Sequence, residues 1–311
     1  MVEFAVAVQS QRDLPLVESP WASFAHQNPI ETEMQTIFFE EWERLYEKKR
    51  KPDRIYFGSE FCQYRLPSLS TVKKALAYSW HNGFEFTFAS PYVHNQKFHL
   101  LLEILEDLHQ TAGVAGRSIE VVLNDWGVYH HVRTNFPSLH IVIGRLLNKT
   151  IRDPRIADYY DDERAPESAR NVVKETGLFS DSFSRFLESA NVVGIEFDEL
   201  VQEHKLAQHK SPYRLSFHFP FGCVASGNAC MVGFMEASKK EKFRGDPECK
   251  QQCQLYTFEL KNRQFTDMEY RIFQKGNTAF YAYNPNIVKR GLQGMIDVAS
   301  TRIVYSPRIP V

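Results

Sequence analysis

Short runs of β-branched and aromatic residues recur along this chain, and segments with helical spacing lie between most of them. The runs are FAVAV (4–8), RIYF (54–57), FEFTF (84–88), IEVVL (119–123), HIVIG (140–144), VVGIEF (192–197) and YRLSFHF (213–219). Residues 31–48 place Met34, Ile37, Phe38, Trp42 and Leu45 on one helical face. Residues 69–81 do so with Leu69, Val72, Leu76 and Trp80, and residues 97–111 with Phe98, Leu101, Leu102, Leu105 and Leu108. Residues 180–190 and 198–207 read as two later helices. A strand followed by a helix, repeated, implies a parallel sheet covered by helices. Seven such strands within roughly 220 residues predict an α/β chain of the (β/α)8 TIM-barrel type, complete or distorted. A doubly wound open sheet is the alternative. On a barrel, the residues just after each strand are where chemistry is expected.

The alternation breaks twice. Residues 151–176 are polar and charged and carry two prolines, which reads as an insertion or lid over the strand ends. After Phe219 come FPFGCVASGNAC, the charged loop EASKKEKFRGDPEC, and a tail (LYTFEL, YRIF, AFYAY, RIVYS) read as short antiparallel strands. The division expected is a barrel over 1–220, with 221–311 a cysteine-rich loop and C-terminal strands completing the same domain.

Lysine and arginine total 37 against 38 acids, so there is no global basic field for nucleic acid. No apolar run is long enough to span a bilayer. MVEFAVAVQSQRDLP lacks a basic n-region and a long apolar run, so a cytoplasmic location is expected. Five cysteines in such a chain are not a disulfide framework. Buried thiols, metal ligands or a redox site remain.

Four of the five cysteines fall close together, as C-x6-C-x18-C-x3-C at Cys223, Cys230, Cys249 and Cys253. The fifth, Cys62, directly follows the strand RIYF in FGSEFCQYR. Buried core thiols are the plain alternative. That alternative suits Cys249 poorly, because GDPECKQQCQ is charged and has no apolar periodicity. Metal binding is therefore the expectation. Four-cysteine zinc sites use paired C-x2-C knuckles, whereas iron–sulfur clusters tolerate irregular spacing, which tilts the reading slightly toward iron and sulfide.

FGCVASGNAC followed by GDPECKQQC resembles the cysteine region of the collagenase-like peptidase family U-thirty-two. DRIYFGSEFCQYR, IEVVLNDWGVYHHV and LHIVIGRLLNK resemble segments of its short UbiV-type branch, among the UbiU/UbiV ubiquinone-biosynthesis accessory proteins. The similarity spans about residues 50–260 and is specific at the cysteines. It implies a barrel-like fold and a [4Fe–4S] cluster. It implies work in anaerobic, oxygen-independent hydroxylation of an aromatic substrate, with prephenate as oxygen donor, and a UbiU-type protein partner in a heterodimer. Carried over by position, the short branch's ligands fall on Cys62, Cys230, Cys249 and Cys253. Cys223 matches a cysteine of the longer branch, so Cys62 and Cys223 compete for the fourth place.

Further candidates follow other strands. Asn124 and Asp125 end the fourth, Arg145 and Asn148 follow the fifth, and Glu60 and Arg65 flank Cys62. As a group these read as a pocket for a small anionic or aromatic substrate, with Arg65 and Arg145 binding carboxylates bidentately. Helix caps and ion pairs are the competing reading for each. His130-His131 reads as a helix surface and His218 as a satisfied polar residue on a strand. The acidic run Asp158–Glu163 lacks the spacing of a calcium loop. No G-x-G-x-x-G, P-loop, G-x-S-x-G or HExxH is present, so nucleotide-binding, serine-hydrolase and zincin readings have no support. A peptidase and a non-catalytic iron–sulfur or electron-transfer subunit remain as alternatives.

Overall fold

The computed structural model describes residues 2–24, 26–156, 162–188, 190–204, 211–241, 249–261, 269–296, 298 and 300–311. Eight parallel strands close into a barrel. They are β1 (Glu3–Val8), β2 (Arg54–Gly58), β3 (Glu85–Ala89), β4 (Ile119–Leu123), β5 (Leu139–Ile143), β6 (Val192–Asp198), β7 (Arg214–Phe219) and β12 (Thr301–Tyr305). The seven expected strands are all present, each within a residue or so of its expected bounds. The eighth is RIVYS of the tail. It was expected to run antiparallel, but it lies parallel to both β1 and β7 and closes the ring. A right-twisted sheet of seven parallel strands leaves two open edges, and one more parallel strand satisfies both.

The remaining strands form a separate antiparallel sheet in the order β8 (Phe221–Ser226), β11 (Thr278–Ala282), β10 (Ile272–Lys275) and β9 (Phe258–Leu260). This sheet is inserted between β7 and α7 (Pro285–Gly294), the helix that leads back into β12.

The helices cover the outside: α1 (Pro29–Leu45), α2 (Leu69–His81), α3 (Asn95–Ala115), α4 (Trp126–Asn135), α5 (Glu167–Val172) and α6 (Asp181–Glu188) precede α7. Their starts are written in the sequence. Asn28 and Glu31 form a capping box before α1, with Pro29 as its first residue, and Ser68 caps α2. The helix expected at 198–207 is not found in its described part, where residues 199–204 form an irregular turn, and 205–207 lie outside the described residues. The Gln202 amide explains the turn, since it donates to the carbonyls of Ile151 (2.6 Å) and Val173 (2.9 Å) and ties the segment to the β5–β6 connection. Residues 158–161 of the acidic run also lie outside the described residues.

Alternation along the strands sends one apolar set outward and one polar set inward. Phe4, Val6, Ile55, Phe57, Phe86, Phe88, Leu215, Phe217 and Ile303 pack under the helices in the main core. The inward set begins with a layer of charge. Arg302 donates to Glu120 (2.7 and 2.9 Å) and Glu3 (2.9 Å), and Arg54 to Glu3 (2.7 Å) and Thr87 (3.1 Å). Above it, Tyr56 donates to Glu196 (2.8 Å), and Glu196 also meets His218. Ala5, Ala89, Val122 and Val142 fill the space between, so the interior is packed rather than open.

Burial alone would raise the Glu120 carboxyl from 4.5. Arg302 and Arg54 outweigh it and hold the group at about 2. A carboxyl with a depressed folded pKa stabilises the fold above its unfolded pKa and loses that contribution as pH falls through the folded one. Urea unfolding should therefore show stability falling steeply from about pH 4.5 toward about pH 2. Glu120→Gln should cost about 3–5 kcal/mol near neutral pH, by leaving Glu3 as the one carboxylate shared by the buried guanidiniums of Arg54 and Arg302. It should also flatten the acid limb.

Candidate metal centre

The strand ends meet the small sheet at one rim, and four of the five cysteines lie there. Cys62, Cys230, Cys249 and Cys253 line one cavity of about 600 Å3, together with Tyr64, Arg65, Tyr92, His94 and Asn277. They come from three stretches of chain: the turn after β2, the loop after β8 and the turn before β9. Cys62 and Cys253 pack with Val232 and Val311, and Cys230 lies against them. Cys223 is elsewhere. It sits on β8 opposite Phe280 and packs among Phe61, Phe221 and Phe273. Among the described residues, no three His, Cys, Asp or Glu side chains close on a single ion position.

Backbone geometry delivers these thiols. At the end of β2, Gly58 takes φ +138°, and a Cβ there would lie 2.1 Å from the Ala89 carbonyl oxygen. Only glycine lets the two strand ends approach so closely, and the chain then turns through Ser59 to present Cys62. Ser59 Oγ donates to the carbonyls of Cys62 (3.2 Å) and Val311. On the other wall, Gly276 takes φ +61° in the two-residue turn between β10 and β11. A Cβ at Gly276 would stand 3.5 Å from that of Cys253.

Three of the thiols, Cys62, Cys230 and Cys253, sit where burial opposes charge. Burial pushes the Cys62 thiol up to about 12, and the neighbouring thiols of Cys253, Cys230 and Cys249 add to the rise. Burial raises Cys230 and Cys253 as well. Backbone N–H groups point the other way. Gly233 N–H donates to Cys230 Sγ (3.2 Å), which favours that thiolate, and Gln251 N–H donates to Cys249 Sγ (3.4 Å). Arg65 and Lys275 act on Cys253 in the same sense. A metal bound here would have to displace the thiol protons.

The expected substrate residues do not gather as a group. Arg65 lines the cavity, with Nη1 donating to Gln251 Oε1 (3.0 Å). Arg145 is wholly buried, and its guanidinium is taken by Glu60 (2.7 and 3.0 Å) and Asp198 (2.6 Å), leaving no face for a substrate carboxylate. Asn124 bridges loops, donating to the Ser90 carbonyl (2.9 Å) and accepting from Leu146 N–H (3.0 Å). Asp125 caps α4, accepting from the N–H groups of Gly127 (2.7 Å) and Val128 (3.1 Å). Asn148 donates to the Glu196 carbonyl (3.0 Å) and accepts from Thr176 (2.6 Å). For these three, caps and bridges, rather than ligand binding, account for the side chains.

One residue that matters was not singled out in the sequence. Asn277 Nδ2 donates to the carbonyls of Phe61 (2.7 Å) and Gly227 (2.8 Å) and to Tyr92 Oη (3.2 Å). It thus ties the Cys62 turn to the loop that carries Cys230. The Gly-Asn pair between two β-rich runs signals a hairpin turn, but nothing local shows what its amide reaches. Asn277→Ala removes the shared donor and leaves a buried carbonyl unsatisfied. It should lower unfolding stability by about 1–3 kcal/mol, and thiol-reactive dye should reach Cys62 faster than in the parent protein.

No protein-family model matches the chain, and no curated protein matches it in sequence. Among solved structures, the chain is similar to the U32 peptidase Mk0906, at 12% identity and a TM-score of 0.39, over 100% of this chain and 95% of that one. At that identity the likeness transfers no residue role and no activity.

Proposed function

We propose that this chain holds one [4Fe–4S] cluster on Cys62, Cys230, Cys249 and Cys253. With it the chain works in, or as a subunit for, oxygen-independent hydroxylation of an aromatic substrate. One observation carries the first half of this reading: four thiols from three separate stretches line a single cavity, while the fifth is packed in an apolar cluster. The reaction class, the prephenate-type oxygen donor and a UbiU-type partner protein rest on the sequence resemblance alone.

The donor set fits such a cluster. Clusters of this kind take four thiolates and accept irregular spacing between them. Four-thiolate zinc sites usually draw on paired C-x2-C knuckles, and this chain has none. When bound, the cluster supplies electrons one at a time, at a potential set by its charge, its hydrogen bonds and its exposure. The chain's own part is to tune those quantities. The N–H groups of Gly233 and Gln251 reach two of the sulfurs, and Arg65 and Lys275 offset negative charge at a third. Tyr64, Tyr92 and Phe234 give the cavity aromatic walls beside the thiols, suited to a planar substrate.

Anaerobic purification with iron and sulfide analysis tests this. About four iron and four sulfide per chain are expected, with a brown colour that bleaches in air. Cys62→Ala should lose the cluster, and Cys223→Ala should keep it. Zinc without sulfide, or loss of the cluster from Cys223→Ala in a folded chain, would overturn the assignment.

A further inference from the structure

Outer helices cover the apolar outward faces of barrel strands. The β6–β7 connection departs from this pattern, because residues 199–204 form an irregular turn. A cavity of about 190 Å3 opens beside that turn, between β7 and α7. Leu215 and Phe217 of β7, with Met295 and Val298 after α7, give it apolar walls. Its ionisable residues are Glu199, Glu203, His204 and Arg290. It shares no lining residue with the thiol cavity.

Glu199 is 6% exposed and held at both backbone groups. Its N–H donates to Tyr283 Oη (2.9 Å), and its carbonyl accepts from Tyr281 Oη. Its carboxyl carbon lies 2.8 Å from where a Cβ on Gly291 would stand, so the glycine of α7 makes the room it occupies. Among the described residues, no hydrogen bond reaches that carboxylate. Arg290 attracts it, but the guanidinium is engaged elsewhere. It donates to the carbonyls of Leu200 and Val201 (3.4 Å) and lies 3.6 Å from Glu203. Burial outweighs Arg290 and pushes the Glu199 carboxyl up to about 7, with Glu203 and Asp198 adding to the rise. His204 brings no positive charge. Its Nε2–H donates to the Asp198 carbonyl (2.7 Å), and burial lowers its ring to about 4. Two carboxylates thus face one guanidinium here, and the buried carboxylate has no donor. Such a group costs free energy, which a ligand bringing its own donors offsets.

We infer that this cavity binds a small organic cation, an amidinium or ammonium on a compact apolar body, with Glu199 as its counter-charge. A planar amidinium meets a carboxylate through two parallel N–H bonds, as an arginine does. The apolar walls take the body. The cavity has the room of about six waters at roughly 30 Å3 each, which limits that body to about one ring. The site is independent of the proposed cluster.

Calorimetric titration of the full chain with benzamidine tests the site, with benzamide as the uncharged control. It is run at about pH 8, where a carboxyl titrating at about 7 is largely ionised. Saturable binding of benzamidine alone is expected. Glu199→Gln keeps the shape and removes the charge, and should weaken binding at least about tenfold. The same variant should hold or raise the melting temperature of the unliganded chain, because an amide costs less to bury than a carboxylate without donors. Gly294 also lines the cavity and has open space where a Cβ would stand. Gly294→Leu should fill that space and weaken binding severalfold, in a chain that melts no lower than the parent because leucine favours the helix over glycine. Absence of saturable heat, equal binding of benzamide, or full binding by either variant would overturn the site.

Discussion

Glu3, Arg54, Glu120 and Arg302 fill the barrel at the level where parallel barrels carry bulky branched side chains. Everything above that layer is arranged around it. Arg302 reaches Tyr56, Tyr56 reaches Glu196, and Glu196 meets His218, whose other ring nitrogen lies 3.9 Å from Glu60. Glu60 holds Arg145, and Asp198 joins Arg145 to Arg152. A chain of buried charge thus runs from the bottom of the barrel to the rim. Such a chain holds only if each member keeps its partner, because a single unpaired charge in this interior costs several kcal/mol. Complementary pairing therefore ties the register of β1, β2, β4, β6, β7 and β12 together. It also suits the small residues among them, since Ala5 and Ala89 leave room for the long side chains.

The same chain of charge positions the thiol cavity. Glu60 is two residues before Cys62, and its carboxylate is gripped bidentately by Arg145. The turn from Gly58 to Cys62 is thereby anchored at one end by a close strand approach and in its middle by a buried ion pair. From the other side, the Gly276–Asn277 turn is pressed against Cys253 and bonded to the Phe61 carbonyl. The antiparallel sheet brings thiols that follow β8 and precede β9 to a thiol that follows β2. Barrel and sheet are thus two walls of one site, and neither makes the cavity alone.

Much of the barrel was legible because outward residues such as Phe57, Phe88 and Phe217 recur at every second position, and helical faces such as Leu101, Leu105 and Leu108 lie between them. Three features were not legible, for physical reasons. RIVYS has the composition of any strand, and only the unsatisfied edges of β1 and β7 make it parallel. Residues 199–204 carry helix-compatible side chains, but Gln202 is bonded to two carbonyls far along the chain. Arg145 read as a carboxylate binder because it follows a strand. Its partners, Glu60 and Asp198, are 85 and 53 residues away and leave no local trace.

The sequence by itself determined the strand–helix alternation, the cap residues and the small set of thiols from which the proposed metal site is drawn. These depend on side-chain periodicity and on interactions within a few residues. The tertiary structure alone decided which thiols share a space: it puts Cys62 in the cavity and Cys223 among phenylalanines, although both follow or occupy strands of similar composition. It also decided which arginine lines the thiol cavity. Arg65 and Arg145 are alike as side chains. Only the folded barrel encloses one between two carboxylates and leaves the other at the rim, because pairing of buried charge is settled by distance in space rather than along the chain.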